Sequence, residues 1–183
     1  MKHRTALALC VAALASLHPA GPAAPAAPRT LGPAPAAQTC DVDAYVIDPD
    51  PKGLNVRDKP GADGRVVAVI PADVDGTVVH LIASSPNGWV QISHAETIMG
   101  TVVFDRKGWV SGNMLGISTR GYGTKGVRLY AGAGKGKALG TLPPEAEVKV
   151  AGCSGDWMRD RYKNQTGWLE RESQCPNPVT TCN

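Results

Sequence analysis

Short runs in which apolar and polar residues alternate recur along this chain, and they predict β-strands. Residues 54–57 read Leu-Asn-Val-Arg and residues 127–130 read Val-Arg-Leu-Tyr, so the aliphatic side chains of each run fall on one face. Residues 147–150 alternate glutamate or lysine with valine in the same way. Beyond the N-terminal segment, no window of eleven or more residues has a helical period. The predicted fold class is therefore all-β, with helix limited to short turns at residues 111–114 and 170–173.

The strand-like runs form two series with the same internal order, which indicates an internal repeat. The first series occupies residues 54–57, 66–70, 77–82, 88–92 and 108–115, and the second occupies residues 127–129, 138–142, 147–151, 156–162 and 167–169. Each series ends with a tryptophan-bearing run and then a Gly-Trp-aliphatic run. Short strands at regular spacing, separated by Gly, Pro, Asn and Asp, are typical of small barrels or sandwiches. The first series is longer by an insertion at residues 93–107, whose Thr-Val-Val-Phe run is predicted to extend a hairpin.

The N-terminal region divides into two segments that lie outside the predicted core. Residues 1–20 have a basic start and an apolar stretch at residues 5–17, which is too short to span a bilayer and is typical of a signal peptide. Residues 21–39 are mostly Ala and Pro and are expected to form an extended spacer. The predicted modules are residues 40–116 and residues 117–183. No other stretch is long enough to predict a membrane span.

Four cysteines follow the predicted signal peptide: Cys40, Cys153, Cys175 and Cys182. An even number in a small exported protein predicts disulfide bonds, which domains of this size need for stability. Four cysteines allow three pairings, and the sequence does not choose among them. The pairing that we favour joins Cys153 to Cys175 and Cys40 to Cys182.

Charge is distributed unevenly along the chain. Residues 38–116 contain six basic and ten acidic residues, a net charge of −4, whereas residues 117–183 contain ten basic and six acidic residues, a net charge of +4. The two modules could attract each other, or the second could meet an acidic partner. The overall excess of +3 comes from the leader and spacer, so it does not argue for nucleic-acid binding.

The sequence does not predict a catalytic, cofactor or metal site. The cysteines are expected to form bridges, and the two histidines after the leader, His80 and His94, both lie in the first module. A zinc site needs about three or four ligands, and neither histidine is close to a cysteine in sequence. His94 and Glu96 are interpreted as part of a solvated loop. The glycine-rich run at residues 132–138 lacks the spacing of a phosphate-binding loop.

Two motifs of the first series resemble those of bacterial Src-homology-3-like domains. Residues 54–60, LNVRDKP, are similar to the family's opening motif, and residues 108–115, GWVSGNML, are similar to its closing motif. The second series has the related pair VRLYAGAG, at residues 127–134, and GWLERES, at residues 167–173. It departs from the first by placing Tyr130 where Arg57 stands. The resemblance implies two tandem SH3-like β-barrels.

The same resemblance implies a binding function in the bacterial envelope. Relatives of this fold hold extended peptides on aromatic side chains beside the first long loop. By that analogy, Tyr130, Trp157 and Tyr162 are candidate ligand-binding residues. The basic strand at residues 158–163 adds the candidates Arg159 and Arg161. The four tryptophans are otherwise expected to be core or half-core residues.

The leading hypothesis is a non-enzymatic, monomeric protein, secreted or periplasmic, that binds cell-wall peptidoglycan or a peptide. A second hypothesis is a protein-interaction or inhibitor module that acts on a secreted enzyme. A third hypothesis is a degenerate wall hydrolase that depends on His94. The ligand, the site of signal cleavage, and docking between the two modules are left open by the sequence.

Overall fold

The computed structural model describes residues 36–72, 75–134 and 136–182. The predicted signal peptide and almost all of the predicted spacer lie outside the described residues. Within the described part of the chain, the only helices are two 3-10 turns, Gly112–Met114 and Arg171–Ser173, and both confirm the predicted short turns. Neither is long enough to cross a membrane, and no other described segment is such a helix.

Fourteen strands make up the rest of the regular structure. The first half of the sheet consists of β2 (Leu54–Arg57), β3 (Val66–Ile70), β4 (Thr77–Ser84), β5 (Trp89–Thr97), β6 (Val102–Phe104) and β7 (Gly108–Ser111). The second half consists of β9 (Val127–Tyr130), β10 (Ala138–Leu142), β11 (Glu147–Ser154), β12 (Trp157–Tyr162), β13 (Gln165–Leu169) and β14 (Gln174–Cys175). Two further strands, β1 (Gln38–Val46) and β8 (Leu115–Thr119), lie between the halves. The predicted all-β fold is confirmed.

The strands follow one hydrogen-bonded path in the order β10-β9-β13-β12-β11-β8-β1-β4-β5-β7-β2-β3. This sheet is open, so the prediction of two closed barrels is wrong. The physical reason lies in the central pair. The edge of β4 is occupied by β1 and the edge of β11 by β8, and β1 and β8 pair with each other. The predicted boundary between residues 116 and 117 falls inside β8.

The strand order is the same on both sides of the central pair. The first half reads β3-β2-β7-β5-β4, and the second reads β10-β9-β13-β12-β11. In each half, an opening strand therefore pairs with its neighbour along the chain and with the Gly-Trp strand. The register agrees as well, because Arg57 is opposite Trp109 and Tyr130 is opposite Trp168. The sequence repeat thus corresponds to a repeat of topology.

The glycine of each Gly-Trp pair allows two strands to approach closely. A Cβ atom on Gly108 would lie 2.3 Å from Cγ1 of Val56, and one on Gly167 would lie 2.5 Å from Cγ of Leu129. Both distances are far below van der Waals contact. Any side chain at either glycine would collide with the core residue of the opening strand.

The core is a single continuous cluster that draws on both halves. The aliphatic residues that alternation places on one face of the opening strands are all buried, namely Leu54, Val56, Val127 and Leu129. Alternation in β12 places Met158 and Asp160 inside, whereas Arg159 and Arg161 are exposed. The period-2 pattern of the sequence therefore identified the correct face.

The insertion in the first series forms a hairpin extension, as predicted. β6 pairs antiparallel with β5, with Ala95 opposite Phe104. Phe104 is buried against the core. His94 and Glu96 lie on β5 and not in a loop, so that interpretation was wrong. The reason is that β5 continues for nine residues to meet both β4 and β6.

All four described cysteines form disulfides, but the favoured pairing is wrong. Cys40 is bonded to Cys153 with a Cα–Cα distance of 5.6 Å, and Cys175 is bonded to Cys182 with a Cα–Cα distance of 5.4 Å. The cause is the path of β1, whose start runs beside the turn between β11 and β12. The backbone N–H of Asp41 donates to the carbonyl of Gly155 at 2.8 Å, and this contact places Cys40 next to Cys153.

Candidate ligand-binding site

Three adjacent strands of the second half present aromatic and basic side chains on their exposed side. Trp168 of β13 is directly opposite Tyr130 of β9 on one side and Arg159 of β12 on the other. Directly opposite residues share a face of the sheet, and so do residues two apart along a strand. Trp157 and Arg161 therefore lie on the same face as Arg159. We call Tyr130, Trp157, Arg159, Arg161 and Trp168 the aromatic-basic face.

The aromatic rings of this face contact one another. The ring of Tyr130 meets the ring of Trp157 edge to face, with centroids 5.6 Å apart and planes at 78°. This arrangement suits the quadrupoles of two aromatic rings. Tyr130 is only 8% exposed, so it supports Trp157 from beneath more than it offers a surface of its own. Trp157 and Trp168 are half-buried and keep part of their rings accessible.

Of the five candidate residues, the structure separates Tyr162 from the others. Tyr162 is one residue from Arg161 and so lies on the opposite face of β12, where it packs partly against the core. The Lys163 ammonium lies 5.0 Å from the centroid of its ring. Arg161 stays on the aromatic-basic face, but its Nη1 donates to Oδ1 of Asn113 at 2.9 Å. Arg161 therefore links the second half to the 3-10 turn after β7.

Sequence reasoning missed Trp168 as a member of the face. Its signal was present in the sequence, because Trp168 is the tryptophan of the second Gly-Trp pair. A Gly-Trp pair places the glycine inward and the tryptophan outward on a strand, and the neighbouring strand then supplies Arg159. The cross-strand pairing that joins Trp168 to Arg159 was not visible in the sequence.

The equivalent face of the first half has a different composition. Trp89 and Trp109 match Trp157 and Trp168, but Arg57 stands in the place of Tyr130 and Gln91 in the place of Arg159. The Arg57 guanidinium lies 5.9 Å from the centroid of the Trp89 ring, and its Nη1 donates to the carbonyl of Gly64. The guanidinium of Arg57 is thus already engaged by Trp89 and Gly64 of the first half.

A carboxyl group lies beneath the aromatic-basic face. Asp160 is 1% exposed, and within the described part of the chain neither of its carboxylate oxygens has a hydrogen-bond partner. Burial raises the pKa of Asp160 well above its ordinary value of 3.8, because the charged form loses its hydration. Asp160 lies opposite Gly167, next to the close contact with Leu129.

The two histidines lie opposite each other on β4 and β5 of the first half. Nδ1 of His80 is 2.8 Å from Oδ1 of Asp43, and Nδ1 of His94 is 3.6 Å from Oδ1 of Asp105. Among the described residues, no group of three or more histidine, cysteine or carboxylate side chains is placed to hold a metal ion. The four cysteines of the described residues are all disulfide-bonded and offer no thiolate.

Comparison with known proteins assigns a family to part of the chain. No curated protein sequence matches it. Two solved structures overlap with it, NlpC2 and NlpC1 from Trichomonas vaginalis, at 14% and 16% sequence identity and a TM-score of 0.30 each. The matches cover 73% and 75% of this chain but only 47% and 46% of those chains, so this chain spans less than half of either protein. The sequence model of the bacterial SH3 domain matches residues 52–116, which run from the loop before β2 into β8. Residues 52–116 therefore form one bacterial SH3 domain.

Proposed function

We propose that this protein is an exported, monomeric and non-enzymatic binding protein that recognises cell-wall peptidoglycan or its peptides. The bacterial SH3 domain at residues 52–116 supports this assignment, because such domains often bind cell-wall material. We further propose that residues 117–183 form a second SH3-like unit. The shared strand order and the matching close contacts at Gly108 and Gly167 support that second unit.

The observation that carries the proposal is the aromatic-basic face. Large rings with one polar atom, next to a guanidinium, suit ligands that combine apolar surface with polar or anionic groups. Trp157 and Trp168 are half-exposed there, and Tyr130 supports Trp157 from below. The first half uses its equivalent cation, Arg57, internally. We therefore assign ligand binding to the second half.

Export is supported by the two disulfide bonds. Disulfides persist in oxidising compartments outside the cytosol and are rare in proteins that stay within it. The Cys40–Cys153 bridge joins the start of β1 to β11. The predicted signal peptide at residues 1–20 would deliver the chain to such a compartment.

A pull-down with purified cell wall tests the proposal. The protein without residues 1–37 would be mixed with insoluble peptidoglycan at low salt, and with cellulose as a control polymer. We expect the protein to sediment with peptidoglycan and not with cellulose. An equal distribution between the two polymers would contradict the proposed function. Release of soluble wall fragments that stops in a His94→Ala variant would instead identify an enzyme.

A second candidate function is interaction with a secreted protein, as a module or inhibitor. It is favoured by the loop that the Cys175–Cys182 disulfide closes. Val179 in this loop is 59% exposed, and its backbone N–H is held by Oδ1 of Asn177 at 3.0 Å. A constrained loop with an exposed apolar residue is suited to insertion into a partner. A one-to-one protein complex that survives high salt would favour this alternative.

A further inference from the structure

A cleft of about 220 Å³ lies where the second half meets the end of β4. Arg159 and Trp168 of the aromatic-basic face line it, together with Ser84 at the end of β4 and Ser85 and Pro86 from the β4–β5 connection. Gln38 at the start of β1 also contributes. Sites for drug-sized ligands occupy about 300–1,000 Å³. The cleft is smaller than that, so it suits one small ligand unit and not a whole chain.

The walls of the cleft are fixed before any ligand arrives. The Cys40–Cys153 disulfide joins β1 to β11 beside it. The hydroxyl of Ser84 donates to the carbonyl of Cys153 at 2.8 Å, and this bond ties β4 to β11. A site that is held in shape by covalent and hydrogen bonds loses little conformational entropy on binding. The cleft is therefore preorganised.

Arg159 provides an unused positive charge in this cleft. Six of the eight described arginines donate a hydrogen bond to another residue, namely Arg57, Arg65, Arg106, Arg120, Arg161 and Arg171. Within the described residues, Arg159 has neither a hydrogen bond nor an ion pair. A guanidinium presents a planar fork of donors that matches the two oxygens of a carboxylate. Arg159 is thus available for an anionic group of a ligand.

Trp168 provides a flat apolar surface beside that charge. Its ring is half-buried, and its strand places it directly opposite Arg159. The C–H face of a pyranose ring packs well on an indole, because its C–H bonds present an apolar patch to the flat aromatic surface. Gln38 carries an amide group that can hydrogen-bond to sugar hydroxyls, and the hydroxyl of Ser85, which bonds to Oδ1 of Asn87, keeps lone pairs that can accept. The cleft thus combines a stacking surface, a cation and neutral polar groups.

We infer that this cleft binds a sugar unit that carries a carboxylate, with the pyranose ring on Trp168 and the carboxylate on Arg159. The inference rests on the proposed wall-binding function and names the chemical class of ligand for part of the same face. The matching wall component is glycan whose peptide has been removed, because an attached peptide converts the carboxylate of the sugar into an uncharged amide. It also explains the difference between the halves. The residue equivalent to Arg159 in the first half is Gln91, a neutral side chain that would not select a carboxylate.

Two matched sugars test the inference directly. N-acetylmuramic acid and N-acetylglucosamine share the pyranose ring and the acetamido group, but only the first has a carboxylate. Binding would be followed by the NMR shift of the Trp168 indole N–H, assigned by its loss in Trp168→Phe. A hydrogen bond to a charged group strengthens binding by roughly tenfold or more. We therefore expect N-acetylmuramic acid to bind about tenfold more tightly or better.

Two arginine variants complete the test. Arg159→Gln should remove the preference between the sugars. Arg128→Gln should keep it, since Arg128 is an exposed arginine of β9 that does not line this cleft. Equal binding of the two sugars, loss of the preference in Arg128→Gln, or tighter binding of acetyl-D-alanyl-D-alanine would overturn the inference. If the protein sediments with peptidoglycan but neither sugar binds, the inference fails and the proposed function stands. If the protein does not sediment, the proposed function itself fails.

Discussion

Ile92 and Asp160 occupy the same position in the two halves of the sheet. Ile92 on β5 is opposite Gly108, and Asp160 on β12 is opposite Gly167. Both side chains point into the core and both are fully or almost fully buried. One half thus places an aliphatic side chain where the other places a carboxyl group. Neither oxygen of Asp160 has a hydrogen-bond partner among the described residues. The carboxyl group therefore destabilises the second half at a position where the first half has the apolar Ile92.

The first prediction concerns the pH dependence that Asp160 causes. Its pKa is raised in the folded protein, so the unfolded chain releases this proton at a lower pH than the folded protein does. Its contribution to stability is therefore complete below the ordinary pKa of 3.8 and is lost as the pH rises through the folded-state pKa. Between these values, the free energy of unfolding should fall by about 1.4 kcal/mol per pH unit.

Asp160→Asn and Asp160→Val should remove this slope, and both should be more stable than the wild type at pH 7. Valine should gain more than asparagine, because it leaves no unpaired polar group, a difference of about 1–3 kcal/mol. Urea unfolding from pH 4 to pH 8 measures both effects. A wild-type stability that does not change over this range would show that Asp160 is hydrated or paired.

The second prediction concerns the glycines of the Gly-Trp pairs. Gly108→Ala and Gly167→Ala should each lower the free energy of unfolding by about 1–3 kcal/mol, because the new methyl group would overlap Val56 or Leu129. Gly132→Ala is a matched control, since a Cβ atom there would have nothing within 4 Å. Thermal unfolding would measure all three. Similar values for the control and the two core variants would contradict the close strand contact.

The third prediction distinguishes the two disulfides. Cys40 and Cys153 are 113 residues apart, whereas Cys175 and Cys182 are 7 apart. In the chain-entropy account, the longer loop contributes about 4.8 kcal/mol and the shorter about 2.4 kcal/mol. Cys40→Ala/Cys153→Ala should therefore lower the melting temperature more than Cys175→Ala/Cys182→Ala.

Peptide mapping without reduction checks the connectivity on which this prediction depends. A fragment that joins Cys40 to Cys153 is expected. A fragment that joins Cys153 to Cys175 would contradict the path of β1 beside the β11–β12 turn.

Much of the local structure could be predicted from the sequence, because strands of one series are defined by alternation and by glycine. β3 and β10 begin and end at the predicted residues. The central strand pair could not be predicted in this way. Alternation in β1 was present at Val42 and Ala44, but which strand edge it would meet depends on contacts distant in sequence. The disulfide pairing failed for the same reason.

The candidate site was predictable in part. Period-2 alternation places Trp157, Arg159 and Arg161 on one face of β12 and Tyr162 on the other. The analogy to peptide-binding relatives grouped Tyr162 with the exposed residues and did not take this alternation into account. Trp168 enters the site only through its pairing with Arg159. The face on which each side chain of a strand lies can be predicted from the sequence of that strand. A site built from several strands also depends on the pairing register between them, which the sequence does not show.

The most direct test of the account is sedimentation with purified peptidoglycan of two matched double variants. Arg159→Gln/Trp168→Ala changes the aromatic-basic face, and Gln91→Ala/Trp109→Ala makes the equivalent change in the first half. Thermal unfolding would first establish that both variants are folded. We expect the first variant to lose at least about tenfold in affinity and the second to stay close to the wild type. Wild-type retention by both variants, or loss only in the second, would contradict the assignment of wall binding to the second half.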